Sequence, residues 1–178
     1  MITFQRITDS SSEYYNYMEQ LMTIAFPTDE YRDLEEERQF TDTHPLFCNN
    51  IILNDTTPVG FITYWDFGRF YYIEHFAIDP TQRNGGYGKT ALNKLCETLQ
   101  SPVVLEVETP KEEMAKRRIE FYKRQGFQLW EREYIQPPYK PGCSPIPMYL
   151  MVRGELDCAK DYDEIRSLIH REVYHTNL

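Results

Sequence analysis

The sequence predicts an α/β fold built on a mixed sheet of about seven strands, and three observations carry that expectation. Three β-rich runs, Phe47 to Leu53, Val59 to Phe67 and Tyr71 to Asp79, follow one another across Asn-Asp-Thr-Thr-Pro and Gly68-Arg69 turn signals, the pattern of an antiparallel meander. From Gly86 the apolar period changes to that of a helix, which leads into the strand Val103 to Thr109 and makes a strand, crossover helix, strand unit. A chain of 178 residues, 41% hydrophobic and 26% charged, suits one domain over residues 1–178 with a sizeable core.

The elements follow in order. Ile2 to Ile7 reads as a short strand, and the SSSE run behind it offers a helix N-cap with Ser10 and Glu13 at capping-box spacing. The helix carries Tyr14, Tyr17, Met18, Leu21, Met22 and Ala25 on one face and stops before Pro27. The acidic segment Asp29 to Gln39 reads as a second, mostly solvated helix, with the run Asp33 to Glu37 on its wet face. Past the meander, a helix holds Tyr87, Ala91, Leu92, Leu95, Cys96 and Leu99 on one side. A further helix, Lys111 to Gln125, is stopped by Gly126 in the C′ position, and strands follow at Phe127 to Gln136 and Pro147 to Arg153. The Pro-rich link 137–147 is a shaped surface loop between them. Residues 155–178 extend this core of 1–153, with Asp161 and Glu164 capping a helix striped by Tyr162, Ile165, Leu168, Ile169 and Val173. That stripe is expected to pack on the domain or on a second copy, as in a homodimer, and to take no part in chemistry.

Composition narrows the function. A net charge of -9 argues against nucleic acid and against anionic membrane surfaces, since both are bound through Lys and Arg. Cys48, Cys96, Cys143 and Cys158 stand far apart without metal-ligand spacing, so no metal site and no disulfide framework is expected, and reduced thiols fit a cytoplasmic protein. No stretch approaches the ~20 apolar residues of a membrane helix, and the start lacks a secretion signal's basic and apolar segments.

The residues that carry chemistry begin with Gln82-Arg83-Asn84-Gly85-Gly86-Tyr87-Gly88-Lys89, set between the strand YYIEHFAID and an amphipathic helix. Glycines let backbone N–H groups approach a ligand, and a helix N-terminus offers unpaired N–H groups to a pyrophosphate. The plain alternative is a connecting turn. It is neither a Walker loop, for want of a GK[ST] at the right spacing, nor a dinucleotide fingerprint, because the strands before it read as antiparallel. Arg83-Asn84-Gly85-Gly86-Tyr87-Gly88 resembles the acetyl-CoA loop [Q/R]xxGx[G/A] of the GNAT superfamily of N-acetyltransferases, and Phe121-Tyr122-Lys123-Arg124-Gln125-Gly126-Phe127 is similar to the superfamily's helix-end FYxxxGF segment. The resemblance covers residues 1 to about 153.

That resemblance implies a centrally splayed sheet, in which strands 71–79 and 103–109 part to admit acetyl-CoA, the co-substrate. Residues 83–90, Thr90 included, would hold the pyrophosphate, and the backbone of Phe76, Ala77 and Ile78 would pair with the pantetheine arm like an added strand. Backbone N–H groups near Ala77 and Ile78 would stabilise the oxyanion, and Tyr122 would protonate the departing thiolate, a task suited to a phenol of ordinary pKa ~10. Many relatives carry Asn seven positions before this tyrosine, where this chain has Ala115. The acceptor would be a primary amine of a small molecule or peptide.

Glu74 stands in a central strand among apolar residues, where a carboxylate needs a partner or a task. It is the first candidate for the base that deprotonates an ammonium acceptor, against a structural role in an ion pair with an arginine. His75 points to the other face and reads as a core histidine. Glu106 and Glu108 share one face of the next strand and are the reserve bases, unless that face is simply solvated. Tyr134, Pro137, Pro138 and Tyr139 could line an acceptor pocket. A rival function keeps the cofactor loop without catalysis, as an acyl-CoA sensor or interaction module.

Overall fold

The computed structural model describes residues 1–176. The chain runs β1 (Ile2–Ile7), α1 (Glu13–Ala25), α2 (Leu34–Thr43), β2 (Phe47–Asn54), β3 (Thr57–Asp66) and β4 (Tyr71–Ile78), then a 3-10 turn (Pro80–Gln82) and α3 (Tyr87–Leu99). It continues as β5 (Val103–Glu108), α4 (Glu113–Arg124), β6 (Gln128–Gln136), β7 (Ile146–Arg153), α5 (Cys158–Leu168) and a π-helical turn (Ile169–Val173). The seven strands form one sheet in the order β1-β2-β3-β4-β5-β7-β6, flanked by the helices. The α/β fold expected from the sequence is the fold found. Two compact units divide the chain, Met1–Asp66 with Ile73–Gln100, and Phe67–Tyr72 with the residues from Ser101 onward.

In the first unit β1, β2 and β3 pair antiparallel, with Phe4 opposite Ile52 and Ile51 opposite Phe61. The meander buries one face under α1, where Tyr15, Met18, Leu21 and Met22 close on Ile7, Ile51, Leu53 and Phe61. Two expectations about α1 need correction. Ser12, not Ser10, caps it by accepting from the Tyr15 N–H at 3.2 Å, while Ser10 donates its N–H and hydroxyl to Asp42. The buried stripe includes Tyr15 and leaves Ala25 exposed. The second helix also begins later, at Leu34, which puts Glu35, Glu36 and Glu37 in its first turn, where a helix dipole favours negative charge. Its acidic run is not wholly solvated, because Glu37 is fully buried.

In the second unit β7 lies between β5 and β6, antiparallel to both, with Glu106 opposite Leu150 and Tyr134 opposite Met148. The β6 register shifts between Trp130 and Tyr134, where four residues of β6 span two of β7. An insertion of two residues preserves the alternation, so Trp130, Tyr134 and Gln136 are all buried.

The C-terminal helix starts one turn before the expected cap. Asp157 accepts from the Ala159 and Lys160 N–H groups at 2.9 and 3.1 Å, and Asp161 reaches back to the Asp157 N–H at 2.7 Å. Tyr162, Ile165, Ile169 and Val173 are buried within the chain, and Leu168 is half-buried. Residues 177–178 of the expected extension lie outside the described residues. Among the described residues no helix is long and apolar enough to cross a membrane.

Candidate active site

The glycine-rich loop follows directly from the end of β4. Asp79 accepts from the Thr81 N–H and hydroxyl at 2.8 and 2.7 Å and from the Tyr17 hydroxyl at 3.0 Å, which fixes the turn at Pro80–Gln82. Arg83, Asn84, Gly85 and Gly86 are then exposed. Asn84 and Gly86 are left-handed, with φ of 77° and 69°, and Gly85 between them is not. Alternation of this kind turns successive N–H groups toward one concavity, a geometry that suits an anion. Gly86 is the residue before α3, whose first helical hydrogen bond runs from the Thr90 N–H to the Gly86 carbonyl at 3.2 Å. The N–H groups of Tyr87, Gly88 and Lys89 therefore precede the helical ladder and are available to a phosphate.

The FYxxxGF segment is a helix stop in structural terms. The Phe127 N–H reaches the Tyr122 carbonyl at 3.1 Å and the Gly126 N–H reaches the Lys123 carbonyl at 3.0 Å, the two bonds of a Schellman motif. Gly126 has φ of 85°, where a side chain would be strained. Phe127 packs on Tyr122 with ring centroids 5.7 Å apart, the apolar contact that accompanies this motif. The segment thus fixes the half-buried Tyr122 at the end of α4. Burial pushes its phenol up to about 12 against the opposing pull of Arg118, so it holds its proton at neutral pH. Ala115, on the same helix, is buried.

The three candidate bases have different surroundings. Glu74 has no exposed side-chain surface: Oε1 accepts from the guanidinium of Arg32, and Oε2 accepts from Trp65 Nε1 at 2.8 Å. Arg32, 1% exposed, also pairs with Glu37 at 2.5 Å and lies over the rings of Phe40, Phe47 and Trp65. Burial works to raise the Glu74 carboxyl, but Arg32, His75 and the hydrogen bonds outweigh it and hold the group below its usual value. Burial has the upper hand at Glu37, whose carboxyl is raised despite Arg32, with the charge of Glu74 adding to the rise. One guanidinium thus serves two buried carboxylates. His75 turns away, as expected, and donates from Nε2 to the Glu30 carbonyl at 2.8 Å.

In the second unit Glu108 pairs with Arg118 at 3.5 Å and is 42% exposed, an ordinary surface ion pair. Glu106, two residues earlier and half-buried, is ringed by hydroxyl and amide donors. Tyr134 donates to Oε1 at 2.5 Å, and Gln136 and Tyr174 each donate to Oε2 at 2.8 Å. Tyr134 and Gln136 reach it together because they are two apart on β6. Tyr139 packs on Tyr174 with tilted rings whose centroids are 4.8 Å apart, and the Tyr72 hydroxyl lies 3.4 Å from that of Tyr174. Sequence reasoning includes Tyr134 and Tyr139 but misses Gln136, Tyr72 and Tyr174. The alternation in β6 signals Gln136, whereas nothing local connects Tyr174 with a strand 68 residues earlier.

The loop ahead of α3 thus offers backbone N–H groups suited to an anion, and α4 ends on a phenol that holds its proton. The acetyltransferase (GNAT) family model matches residues 7–127. A solved protein from Bacteroides thetaiotaomicron assigned to the GNAT family is 58% identical, covers 98% of this chain and 99% of its own, and superposes with a TM-score of 0.95. Arabidopsis thaliana NAA60 in complex with acetyl-CoA shares the fold at 20% identity and a TM-score of 0.63, covering 85% of this chain and 97% of its own. The ribosomal-protein-S18-alanine N-acetyltransferase of Escherichia coli does so at 18% and 0.59, covering 86% and 93%. The search of curated proteins returned no match. The chain belongs to the GNAT family of acetyltransferases.

Proposed function

We propose that the chain is an N-acetyltransferase that moves the acetyl group of acetyl-CoA directly onto a primary amine of a small molecule or peptide, in a ternary complex and in the cytoplasm. The observation that carries the reading is the loop at residues 83–90, with its alternating backbone and three N–H groups ahead of the helical ladder. Those groups hold the pyrophosphate, helped by Arg83 and Lys89, and the backbone of Phe76, Ala77 and Ile78 holds the pantetheine arm. No step calls for a metal.

Before the amine attacks the thioester it must lose a proton. Glu74 is ill placed to take it, because its side chain has no exposed surface and its charge is committed to the buried guanidinium of Arg32. We assign the proton acceptor to Glu106, whose oxygens accept from neutral hydroxyl and amide donors rather than from a guanidinium, and give Glu74 a structural role. The nitrogen then attacks the acetyl carbonyl, N–H groups near Ala77 and Ile78 stabilise the oxyanion, and the carbon–sulfur bond breaks. Tyr122, protonated at working pH, delivers its proton to the CoA thiolate.

The test is acetyl-CoA binding followed by melting. Ligand that binds the folded state raises its stability by about 2.7 kcal/mol at 100 times Kd. The wild type should show that rise and release CoA faster when amines are supplied. Gly86→Glu, which sets a carboxylate at the phosphate position, should abolish the rise. A folded Gly86→Glu protein with a wild-type rise would remove the assignment of the loop.

A further inference from the structure

We infer that the C-terminal π-helical turn is part of the acceptor end of the active site, with Tyr174 as the positioning residue that holds the Glu106 carboxylate for the incoming amine. The inference rests on the assignment of Glu106 as proton acceptor and departs from the expectation that the C-terminal extension stands apart from the chemistry.

Residues 158–168 form a regular helix, but the next turn, Ile169–Val173, widens to π geometry. Such turns are rare and concentrate at functional sites. This one is tied to the sheet: His170 is buried and donates from Nε2 to the Ile135 carbonyl at 2.9 Å, its ring packed on Tyr134 at 5.3 Å. Ile169 and Val173 are buried beside it. The turn ends on Tyr174, whose hydroxyl donates to Glu106 Oε2 at 2.8 Å and accepts from Gln136 Nε2 at 2.9 Å.

The donors around Glu106 share one property. Tyr134, Gln136 and Tyr174 all lie beyond residue 127, where the match to the family model ends. The carboxylate lies within the residues that the family model matches, and these three donors lie outside them. A carboxylate held by donors from β6 and from the π-helical turn presents its oxygens in a fixed direction, and fixed direction is what proton transfer requires. The neighbouring phenols Tyr72 and Tyr134 are raised well above ordinary values, chiefly by burial, and stay neutral donors.

The experiment compares wild type, Tyr174→Phe and Tyr162→Phe. CoA release from acetyl-CoA is followed with n-butylamine, spermidine and an alanine-terminated peptide as probe acceptors across pH. Tyr162 lies on α5 and donates to the Glu133 carbonyl rather than to Glu106, so its variant controls for general loosening of the extension. For Tyr174→Phe, acceptor kcat/KM is expected to fall about tenfold and its acidic limb to move up by about one pH unit, because the carboxylate form loses a donor. KM for acetyl-CoA and the Tyr162→Phe rates should stay at wild-type values. If Tyr174→Phe does not fold, 3-fluorotyrosine at position 174, a stronger donor, should move the same limb downward. A folded Tyr174→Phe with wild-type acceptor kcat/KM and limb, or an unmoved limb with fluorotyrosine, overturns this inference alone. A wild type that transfers to none of the probes, or a Glu106→Gln enzyme with undiminished turnover, overturns the parent reading and this inference with it.

Discussion

At the scale of single residues, three glutamates that look alike in the sequence are separated by what surrounds them. Glu74 faces a buried arginine and an indole, Glu108 faces solvent and Arg118, and Glu106 faces phenols and an amide. A structural ion pair was one of the two roles legible for Glu74, because a carboxylate in an apolar strand demands a partner. The identity of that partner was not legible, since Arg32 sits 42 residues earlier, at the edge of an acidic helix. The division yields a paired prediction. Glu106→Gln should lower turnover by about two to four orders of magnitude while leaving the acetyl-CoA-induced rise in melting temperature intact. Raising the pH should partly restore it, because more acceptor amine then arrives neutral. Glu74→Gln should instead cost stability, about 3–5 kcal/mol as for other broken buried pairs, visible as a lower melting temperature without ligand. Tyr122→Phe should slow transfer with no alkaline rescue, since an alkaline solution supplies no proton to the thiolate. Steady-state rates and melting curves of the three variants, measured together, decide the matter: if Glu74→Gln melts like the wild type and loses turnover, the base is Glu74.

At the scale of elements, the sequence is most readable where backbone chemistry is local. The β2–β4 meander, α3 and the Gly126 stop follow from turn residues, apolar period and a left-handed glycine, and their boundaries agree to within a residue or two. Caps are less readable. Among Ser10, Ser11 and Ser12, or between Asp157 and Asp161, every candidate has the right chemistry, and the choice falls to tertiary contacts such as the bond from Ser10 to Asp42. The second helix shows the same limit. Its acidic first turn matches the helix dipole, yet one of those acids, Glu37, is turned inward onto Arg32. Because its carboxyl is raised by burial, its contribution to stability is fully present below the ordinary carboxylate value of ~4.3 and is lost as pH rises through the raised value. Glu74, held low, has the opposite dependence: its contribution is present above the ordinary value and lost as pH falls through the lowered one. Glu37→Gln cannot ionise and so removes the first dependence. Its melting temperature relative to wild type should therefore improve as pH rises above the ordinary carboxylate value. A difference that stays constant or reverses as pH rises would show that burial does not raise the Glu37 carboxyl.

At the scale of the whole molecule, fold class and cofactor loop are legible because both depend on order along the chain: meander, glycine-rich turn, crossover helix, helix stop. What joins distant segments is not, and the C-terminal extension is the clearest case. Its apolar stripe reads equally as a lid on its own chain or as a surface for a second copy, and local sequence offers no means of choosing. In the structure Tyr162, Ile165, Ile169, Val173 and Tyr174 are all buried within the chain itself. Burial of such side chains is worth roughly 1.5–3 kcal/mol each, so the five together contribute on the order of 10 kcal/mol, comparable with the ~5–15 kcal/mol net stability of a typical domain. Truncation after Gly154 should therefore not yield a slightly weaker enzyme. It should yield a chain with no cooperative melting transition, exposing the apolar surface that the extension covers and collecting in the insoluble fraction on expression. Differential scanning calorimetry of the truncated and full chains, beside their soluble yields, checks this. A soluble truncated chain with a wild-type transition would mean that residues 155–178 are an appendage, and the burial of their stripe would then have to be offset by strain elsewhere in the second unit.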